Sequence, residues 1–233
     1  MFTGIITGIG RIVATIPLGN SDAHGVRITI DCPPRYIDTM SPGDSIALNG
    51  ACMTVTQINI KQQQFIVDVS AESLSKTTGL NQRGNINLEK ALRAQDSLSG
   101  HIVSGHVDGV GSVTHFAPVG ESWQLRIIAP LSLAKYLAFK GSIAVNGVSL
   151  TVNQVQDQPE GCEISINLIP HTIDNTTLGG LKVGSTVNLE IDLIARYCER
   201  MLNYPACAAT TQGYHSRRGT IQYDPCEACT ESG

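Results

Sequence analysis

Long apolar runs, basic clusters and aromatic side chains are all scarce in this sequence of 233 residues. No stretch approaches the ~18 consecutive apolar residues that a membrane-spanning helix needs, and the start, MFTGIITGIGRIV, lacks the regions of a signal peptide. With 16 basic against 20 acidic residues, and no basic run longer than Arg217-Arg218, an electrostatic nucleic-acid binder is also excluded. We therefore expect a soluble, cytoplasmic protein whose partner is neither a membrane nor a nucleic acid.

The cysteines are few enough to be considered one by one. Seven are present, at positions 32, 52, 162, 198, 207, 226 and 229. An odd, scattered set fits reduced thiols better than a disulfide framework. Cys226 and Cys229, with Cys207 nearby, have the only zinc-like spacing, and a lone CxxC without a second pair is a weak signal. No bound metal is expected.

An internal repeat organises the rest of the chain. Residues 45–55 read SIALNGACMTV and residues 142–152 read SIAVNGVSLTV, and the order is kept on both sides of this match. The flanking matches pair GIITGIG from residue 4 with GHVDGVG from residue 105, Thr77-Thr78 with Thr176-Thr177, and Asn87-Leu88-Glu89 with Asn188-Leu189-Glu190. The repeat predicts two tandem domains, 1–96 and 97–191.

Within each copy the segments are short, rich in Val, Ile and Thr, and bounded by Gly, Pro, Asn or Asp, as in VRITIDC and FIVDVS. About six such segments per copy, with one helical interruption (PPRYIDTM or PLSLAKYLAF), predict an all-β fold of two tandem six-stranded closed barrels. A C-terminal helix is expected over 192–204, capped by Asp192, with Leu193, Tyr197, Met201 and Leu202 on one face for a partner subunit. Residues 205–233 show no period and are expected to form a flexible tail.

The repeat differs from itself at two chemically interesting places. Cys52 stands where the second copy has Ser149, which indicates a polar pocket in each barrel, although a cytosolic cysteine is more often a small core residue. Thr54 and Thr151 follow two residues later and should share the strand face. His106 stands where the first copy has Ile5, whereas a histidine taken at random is usually structural. Pockets lined by such groups suit a neutral, hydroxyl-rich heteroaromatic ligand.

Several separated motifs, from Met1 to about Leu202, resemble the riboflavin synthase α-chain family: MFTGII, the doubled S-I-A-(L/V)-N-G, SGHIVSGHVDG, YLAFKGSIAVNGVSLTV, NLIPHT and DLIARYCERML. The resemblance implies two Greek-key barrels and a homotrimer held by the C-terminal helices. It also implies dismutation of two molecules of 6,7-dimethyl-8-ribityllumazine, without an external cofactor, into riboflavin and 5-amino-6-(D-ribitylamino)uracil. The active site would lie between the first barrel of one subunit and the second barrel of its neighbour, and lumazine synthase becomes a candidate partner.

The resemblance also implies site residues, carried over position by position. Those assigned to the first pocket are Gly4, Ile5, Ile6, Ser45, Cys52, Met53, Thr54, Asp68, Val69, Ser70, Ala71, Glu72 and Ser73. Those assigned to the second pocket are Gly105, His106, Val107, Lys140, Ser149, Leu150, Thr151, Asn167, Leu168, Ile169, Pro170, His171 and Thr172. By the same resemblance, His106 or His101 moves protons and Cys52 attacks or orients. Ser149 and Thr151 position the second ring or a water.

One position departs from the family, because many relatives carry an aspartate where this chain has Asn146. An amide cannot accept a proton as a general base, so a turn or hydrogen-bonding role is the alternative. A second reading of the whole chain is a pigment binder of the lumazine-protein type, which binds without turnover. Lys140, Ser149, Thr151 and both histidines favour the enzyme.

Overall fold

The short segments rich in Val, Ile and Thr form strands in the computed structural model, which describes residues 1–21 and 23–204. The first copy contains β1 Gly8–Pro17, β2 Val26–Asp31, β3 Ser45–Leu48, β4 Ala51–Asn59, β5 Gln64–Val69 and β6 Gly84–Lys90. The second contains β7 Gly109–Val119, β8 Ser122–Ala129, β9 Ser142–Val145, β10 Val148–Gln158, β11 Gly161–Leu168 and β12 Thr186–Ile191.

Each set of strands closes on itself through antiparallel pairs. The first barrel runs in the order β1-β2-β5-β4-β3-β6, and the second repeats this order as β7-β8-β11-β10-β9-β12. Strand register shifts at matching places in the two copies, between Ile12 and Ala14 in β1 and between Val113 and His115 in β7. Such bulges bend strands sharply enough to close a small barrel. The predicted fold of two closed six-stranded barrels is confirmed, whereas the boundary between residues 96 and 97 stays a prediction.

The barrel interiors follow from the alternation of side chains along each strand. In β5, Phe65, Val67 and Val69 are fully buried while the residues between them are half-buried. In β11, Ile164 and Ile166 occupy the corresponding place in the second barrel. Each barrel thereby holds its own apolar core, and residues on the outer faces of the strands are left for other contacts.

The helices are more numerous than the sequence predicted. Besides the 3-10 segments Tyr36–Thr39, Ile60–Gln62, Leu131–Tyr136 and Thr177–Gly180, the described chain contains α1 Ala71–Lys76, α2 Pro170–Asn175 and α3 Leu193–Leu202. The prediction of one helical interruption per copy is therefore wrong. Both α1 and α2 are six residues long, too short for a helical period to show in the sequence. Local signals start them: the Ser70 hydroxyl accepts from the Ser73 N–H at 3.0 Å, and Pro170 is the first residue of α2.

Helix α3 follows the second barrel directly. The Asp192 carboxylate accepts a hydrogen bond from the Ile194 N–H at 2.9 Å, which satisfies one free donor of the first turn. Arg196 forms an ion pair with Asp108, the residue before β7. Tyr197, Met201 and Leu202 are between 62% and 84% exposed.

None of the helices in the described ranges has the length and apolar character that crossing a membrane requires. The predicted tail, with Cys207, Cys226 and Cys229, lies outside the described residues.

A twofold relation joins the two barrels. The side-chain N–H of Asn87 donates to the Asn146 carbonyl at 2.9 Å, and that of Asn188 donates to the Asn49 carbonyl at 3.0 Å. The same two side chains accept N–H groups from the repeated threonine pairs, from Thr177 and Thr78 respectively, each at 2.7 Å. These reciprocal bonds show that the repeated Asn-Gly and Thr-Thr pairs, and the asparagine of each Asn-Leu-Glu, connect the two copies.

Near the same axis, the two Asn-Gly turns touch through their backbones. Gly50 and Gly147 have φ of 84° and 79°, and a Cβ on Gly50 would lie 2.8 Å from the Gly147 nitrogen. Only glycine combines the left-handed conformation of Gly50 and Gly147 with so close an approach of two backbones. Phe2 and Val103, which are equivalent in the repeat, also connect the copies by exchanging two backbone hydrogen bonds.

Candidate functional site

Cys52 and Thr54 lie on the outer face of the first barrel. In β4, Ala51, Met53 and Val55 are buried in the core, so the residues between them point away from it. Cys52 is half-buried and Thr54 is exposed. Cys52 therefore lies outside the core of the first barrel, where it packs against a small apolar cluster of Phe2, Ala47, Val103 and Ala144 and also lines a cavity.

The second copy repeats this arrangement. Val148 and Val152 of β10 are buried, whereas Ser149 is half-buried and Thr151 is exposed. Leu150 packs against the core of the second barrel. The thiol and the hydroxyl therefore occupy matching places on the outer surfaces of two similar barrels.

The segments that precede β1 and β7 cross between the barrels. The Cys52 N–H donates to the Gly105 carbonyl, and the Ser149 N–H donates to the Gly4 carbonyl, both at 2.8 Å. Val107 packs against the first core and Ile6 against the second.

The predicted grouping of these segments into pockets is consequently wrong. The Gly4, Ile5 and Ile6 segment lies beside Ser149, and the Gly105, His106 and Val107 segment lies beside Cys52. Alignment of the copies pairs Gly4 with Gly105 correctly but carries no information on which barrel each one touches.

Two buried carboxylates hold these crossing segments. One oxygen of Glu89 accepts from the Thr3 N–H at 2.7 Å and the Thr3 hydroxyl at 2.8 Å, and the other accepts from the Gly4 N–H at 3.0 Å. Glu190 makes the same three contacts with Ser104 and Gly105, at 2.6, 2.8 and 3.0 Å. Burial raises the pKa of both carboxyl groups, and these donors oppose that rise. Sequence reasoning missed both residues, although each ends a repeated Asn-Leu-Glu.

A cavity of about 430 Å³ lies where the second crossing segment meets the first barrel. Its walls bring together predicted site residues from three parts of the chain. They are Cys52 and Met53 from β4, Glu72 and Ser73 from α1, and Gly105, His106 and Val107 from the crossing segment. Sequence reasoning missed Ala51, Lys76, Thr77 and Asp108, which also line it. The cavity is the candidate first pocket.

His106 stands at an exposed edge of this cavity, where its Nδ1 lies 3.1 Å from the Ser104 hydroxyl. That hydroxyl is the same one that Glu190 accepts from. The carboxylate therefore influences the orientation of the imidazole through a shared serine.

His101 belongs to the surroundings of Ser149. Its Nδ1 lies 2.7 Å from the Ser149 Oγ, whereas its Nε2 is buried without a hydrogen-bond partner. Burial lowers the pKa of His101, with the charge of Asp192 acting in the opposite direction. A neutral imidazole can exchange a proton with the serine hydroxyl or hold that hydroxyl in one orientation.

Other predicted binding residues are engaged elsewhere. Ser45 lines a different cavity, of about 330 Å³, together with Lys90 and Arg93. The Asp68 carboxylate forms a two-point ion pair with Arg27, at 2.7 and 2.8 Å, which lowers its pKa. Lys140 donates to the Asn153 side chain at 2.9 Å.

The remaining predicted residues surround the starts of α1 and α2. Val69 and Leu168 are fully buried in the two cores, so they could offer a ligand only backbone atoms. Ser70 and Ile169 precede the helices, and the first turns contain Ala71 in α1 and Pro170, His171 and Thr172 in α2. The Asn167 side chain accepts from the Ser122 hydroxyl at 2.9 Å.

Asn146 is part of the contact between barrels rather than of the candidate first pocket. Its backbone carbonyl accepts from the Asn87 side chain of the first barrel at 2.9 Å, and its side-chain oxygen accepts from the Asn188 N–H of its own barrel at 2.8 Å. Asn146 is buried and has φ of 46°. The hydrogen-bonding alternative accounts for this residue, since asparagine tolerates the left-handed conformation that the turn requires.

Comparisons with known proteins agree with the duplicated architecture. The family described as "Lumazine binding domain" matches residues 3–91 and again residues 104–192. The riboflavin synthase of Photobacterium phosphoreum is 40% identical over 204 residues, which are 87% of this chain and 89% of that protein. The riboflavin synthase of Mycobacterium bovis is 41% identical over 206 residues, which are 87% and 98% of the two chains.

Solved structures of LumP have the same fold. LumP complexed with 6,7-dimethyl-8-(1'-D-ribityl) lumazine gives a TM-score of 0.69 at 27% identity, covering 82% of this chain and 98% of that one. LumP complexed with riboflavin gives 0.72 at 26% identity, covering 82% and 99%.

Proposed function

The chain belongs to the riboflavin synthase family, and from this premise we propose that it converts two molecules of 6,7-dimethyl-8-ribityllumazine into riboflavin and 5-amino-6-(D-ribitylamino)uracil. One lumazine gives a four-carbon unit to the other. The two products together contain the atoms of the two substrates, so the balance requires no oxidant, reductant or cofactor. The observation that carries the proposal is the pair of matched but unequal sites around Cys52 and Ser149.

A dismutation of identical molecules requires that one become the donor and the other the acceptor. Two copies of one scaffold bind two copies of one ring system, and the thiol against the hydroxyl makes the sites chemically unequal. A thiol is the stronger nucleophile at neutral pH. Cys52 is therefore assigned to attack or orientation on one ring, and Ser149, with Thr151, to positioning the other ring or a water.

Proton transfers are assigned to the two histidines. The reaction requires removal of a proton from the acidified C7 methyl group of one lumazine, and a neutral imidazole is a suitable base near pH 7. His101 is kept neutral by burial, which lowers its pKa, and it contacts the Ser149 hydroxyl. His106 lines the cavity beside Cys52. Each site thus has one imidazole near its thiol or hydroxyl.

The complete active site is proposed to form between subunits. Cys52 and Ser149 lie on outer barrel faces, so the first barrel of one subunit can bring its ligand against that of the second barrel of a neighbour. Tyr197, Met201 and Leu202 give α3 an exposed apolar surface that supports a trimer contact. Lumazine synthase stays a predicted partner and the cytoplasm a predicted location.

The deciding experiment is an incubation of the purified protein with 6,7-dimethyl-8-ribityllumazine and no cofactor. Riboflavin absorbance should rise until one riboflavin has formed for every two lumazines consumed. A tight complex with unchanged lumazine would contradict the enzyme and support a pigment binder like LumP.

A further inference from the structure

We propose that Glu89 and Glu190 are positioning residues that act across the barrels, each on the crossing segment beside Cys52 or Ser149 of the barrel to which it does not belong. Glu190 lies on β12 of the second barrel and fixes the crossing segment beside Cys52. Glu89 lies on β6 of the first barrel and fixes the crossing segment beside Ser149.

The connection from Glu190 to the first pocket passes through a single glycine. The Gly105 N–H donates to the Glu190 carboxylate at 3.0 Å, and the Gly105 carbonyl accepts from the Cys52 N–H at 2.8 Å. Gly105 is buried with φ of 83°, and a Cβ there would lie 2.5 Å from the Cys52 Cβ. The close fit means that a displacement of the segment is passed on to the backbone that carries the thiol.

Glu89 repeats this connection in the other direction. The Gly4 N–H donates to the carboxylate at 3.0 Å, and the Gly4 carbonyl accepts from the Ser149 N–H at 2.8 Å. A Cβ on Gly4 would lie 2.6 Å from the Ser149 Cβ. The two arrangements match atom for atom, although their targets differ.

A carboxylate suits both places because three donors converge there, and its two oxygens can accept from all of them. Each carboxylate is at most 4% exposed and accepts three hydrogen bonds, two of them from consecutive backbone N–H groups. Glutamine would place its amide NH2 group, which only donates, against one of these donors. The loss of charge also weakens the remaining bonds.

The test compares Glu190→Gln with Glu89→Gln by amide hydrogen exchange in the full-length protein without substrate. In Glu190→Gln, exchange at the Cys52 and Gly105 amides should become about tenfold or more faster, since a hydrogen bond to a charged group is lost and the segment opens locally. Exchange at the Ser149 and Gly4 amides should stay within about twofold of the parent. Glu89→Gln should give the reverse pattern.

A second readout follows the Cys52 thiol directly. Peptide mapping after a timed reaction with iodoacetamide should show an altered rate of Cys52 alkylation in Glu190→Gln and the parental rate in Glu89→Gln. A carboxylate that merely stabilised its own barrel would give the opposite assignment, because Glu89 shares the first barrel with Cys52.

Faster exchange confined to the barrel that carries the substituted strand, or spread equally over both, would overturn the proposal. If a glutamine variant does not fold, Ser104→Ala and Thr3→Ala each remove one of three donors and leave the carboxylate in place. The same crossed pattern is then expected, with a smaller increase in the exchange rates, and an uncrossed pattern again overturns the proposal.

The inference rests on the proposed function only for the meaning of the two pockets. Crossed exchange without riboflavin formation would refute the reaction and leave the positioning role standing.

Discussion

Cys52 and Ser149 differ by sulfur in place of oxygen on backbones that are held in the same way. Cys52→Ser would make the two sites nearly alike, so we expect kcat for riboflavin formation to fall on the order of a hundredfold. The thermal midpoint should change little, because the side chain points out of the barrel core.

Cys198→Ser is the matched control, since Cys198 is an exposed cysteine on α3. Its turnover should equal that of the parent in the same riboflavin assay. A parental rate in Cys52→Ser would mean that the inequality of the sites arises from other residues.

His101 gives the protein a pH dependence whose sign is fixed by burial. Its pKa lies below the ordinary value of 6.5, so folding favours the neutral imidazole. This contribution to stability is present above the unfolded pKa and is lost as the pH falls from there through the folded pKa. We expect the free energy of unfolding to decrease below about pH 6.5, with this group adding a slope of up to about 1.4 kcal/mol per pH unit.

Urea unfolding of the parent and of His101→Asn between pH 5 and 8 measures this slope, which should be shallower in the variant. Equal slopes in the two proteins would refute the role of burial at His101.

The sequence pointed to Cys52, Ser149 and His106 because each differs from its partner in the repeat, whereas His101 was assigned from the family resemblance alone. It did not point to Glu89 or Glu190, for the opposite reason: both copies keep the glutamate, so comparison of the copies shows no exception. Lys76 and Asp108 were also missed, since they reach the cavity only through the placement of α1 and of the second crossing segment.

Among the larger elements, the two Asn-Gly turns are the place where the repeat constrains the backbone most. Gly50→Ala would put a Cβ 2.8 Å from the Gly147 nitrogen at φ of 84°. We expect a loss of at least about 2 kcal/mol in the free energy of unfolding, from backbone strain and overlap together. Urea unfolding measures it.

Gly43→Ala separates the two contributions. Gly43 has φ of 97°, but nothing lies within 4 Å of a Cβ there. This variant should lose only about 1–2 kcal/mol from backbone strain. If Gly50→Ala cost no more than Gly43→Ala, contact between the turns would not be limiting.

The strands could be predicted because alternation and turn residues recur in every one of them. The short helices α1 and α2 could not, because six residues hold fewer than two helical turns. The sequence also could not show that the segment before β1 packs against the second barrel and the segment before β7 against the first. Either assignment of Gly4 and Gly105 satisfies the same alignment, and only the packing of Ile6 and Val107 into opposite cores decides between them.

For the whole molecule, the exposed surface of α3 carries the proposed assembly. Met201→Lys should turn trimers into monomers and abolish most riboflavin formation, because a charge would replace an apolar contact and the active site would lack its neighbour. Sedimentation velocity and the riboflavin assay measure the two effects.

Ile60→Lys is a suitable control, because Ile60 is 66% exposed and Met201 is 68% exposed. It should keep the parental mass and rate. A Met201→Lys protein that stayed trimeric would move the subunit contact away from this part of α3.

The duplicated barrels meet through asparagine amides, through glycine backbones and through apolar contacts in which Ile6 and Val107 pack into opposite cores. The contact forms within one chain, so residues 91–99 act as a tether that keeps each barrel at a high effective concentration near the other. An association within one chain can be weak in itself and still be complete. The tether also explains how the copies could diverge. A covalent link gives every chain one site of each kind. Separate barrels would instead form a mixture of like and unlike pairs.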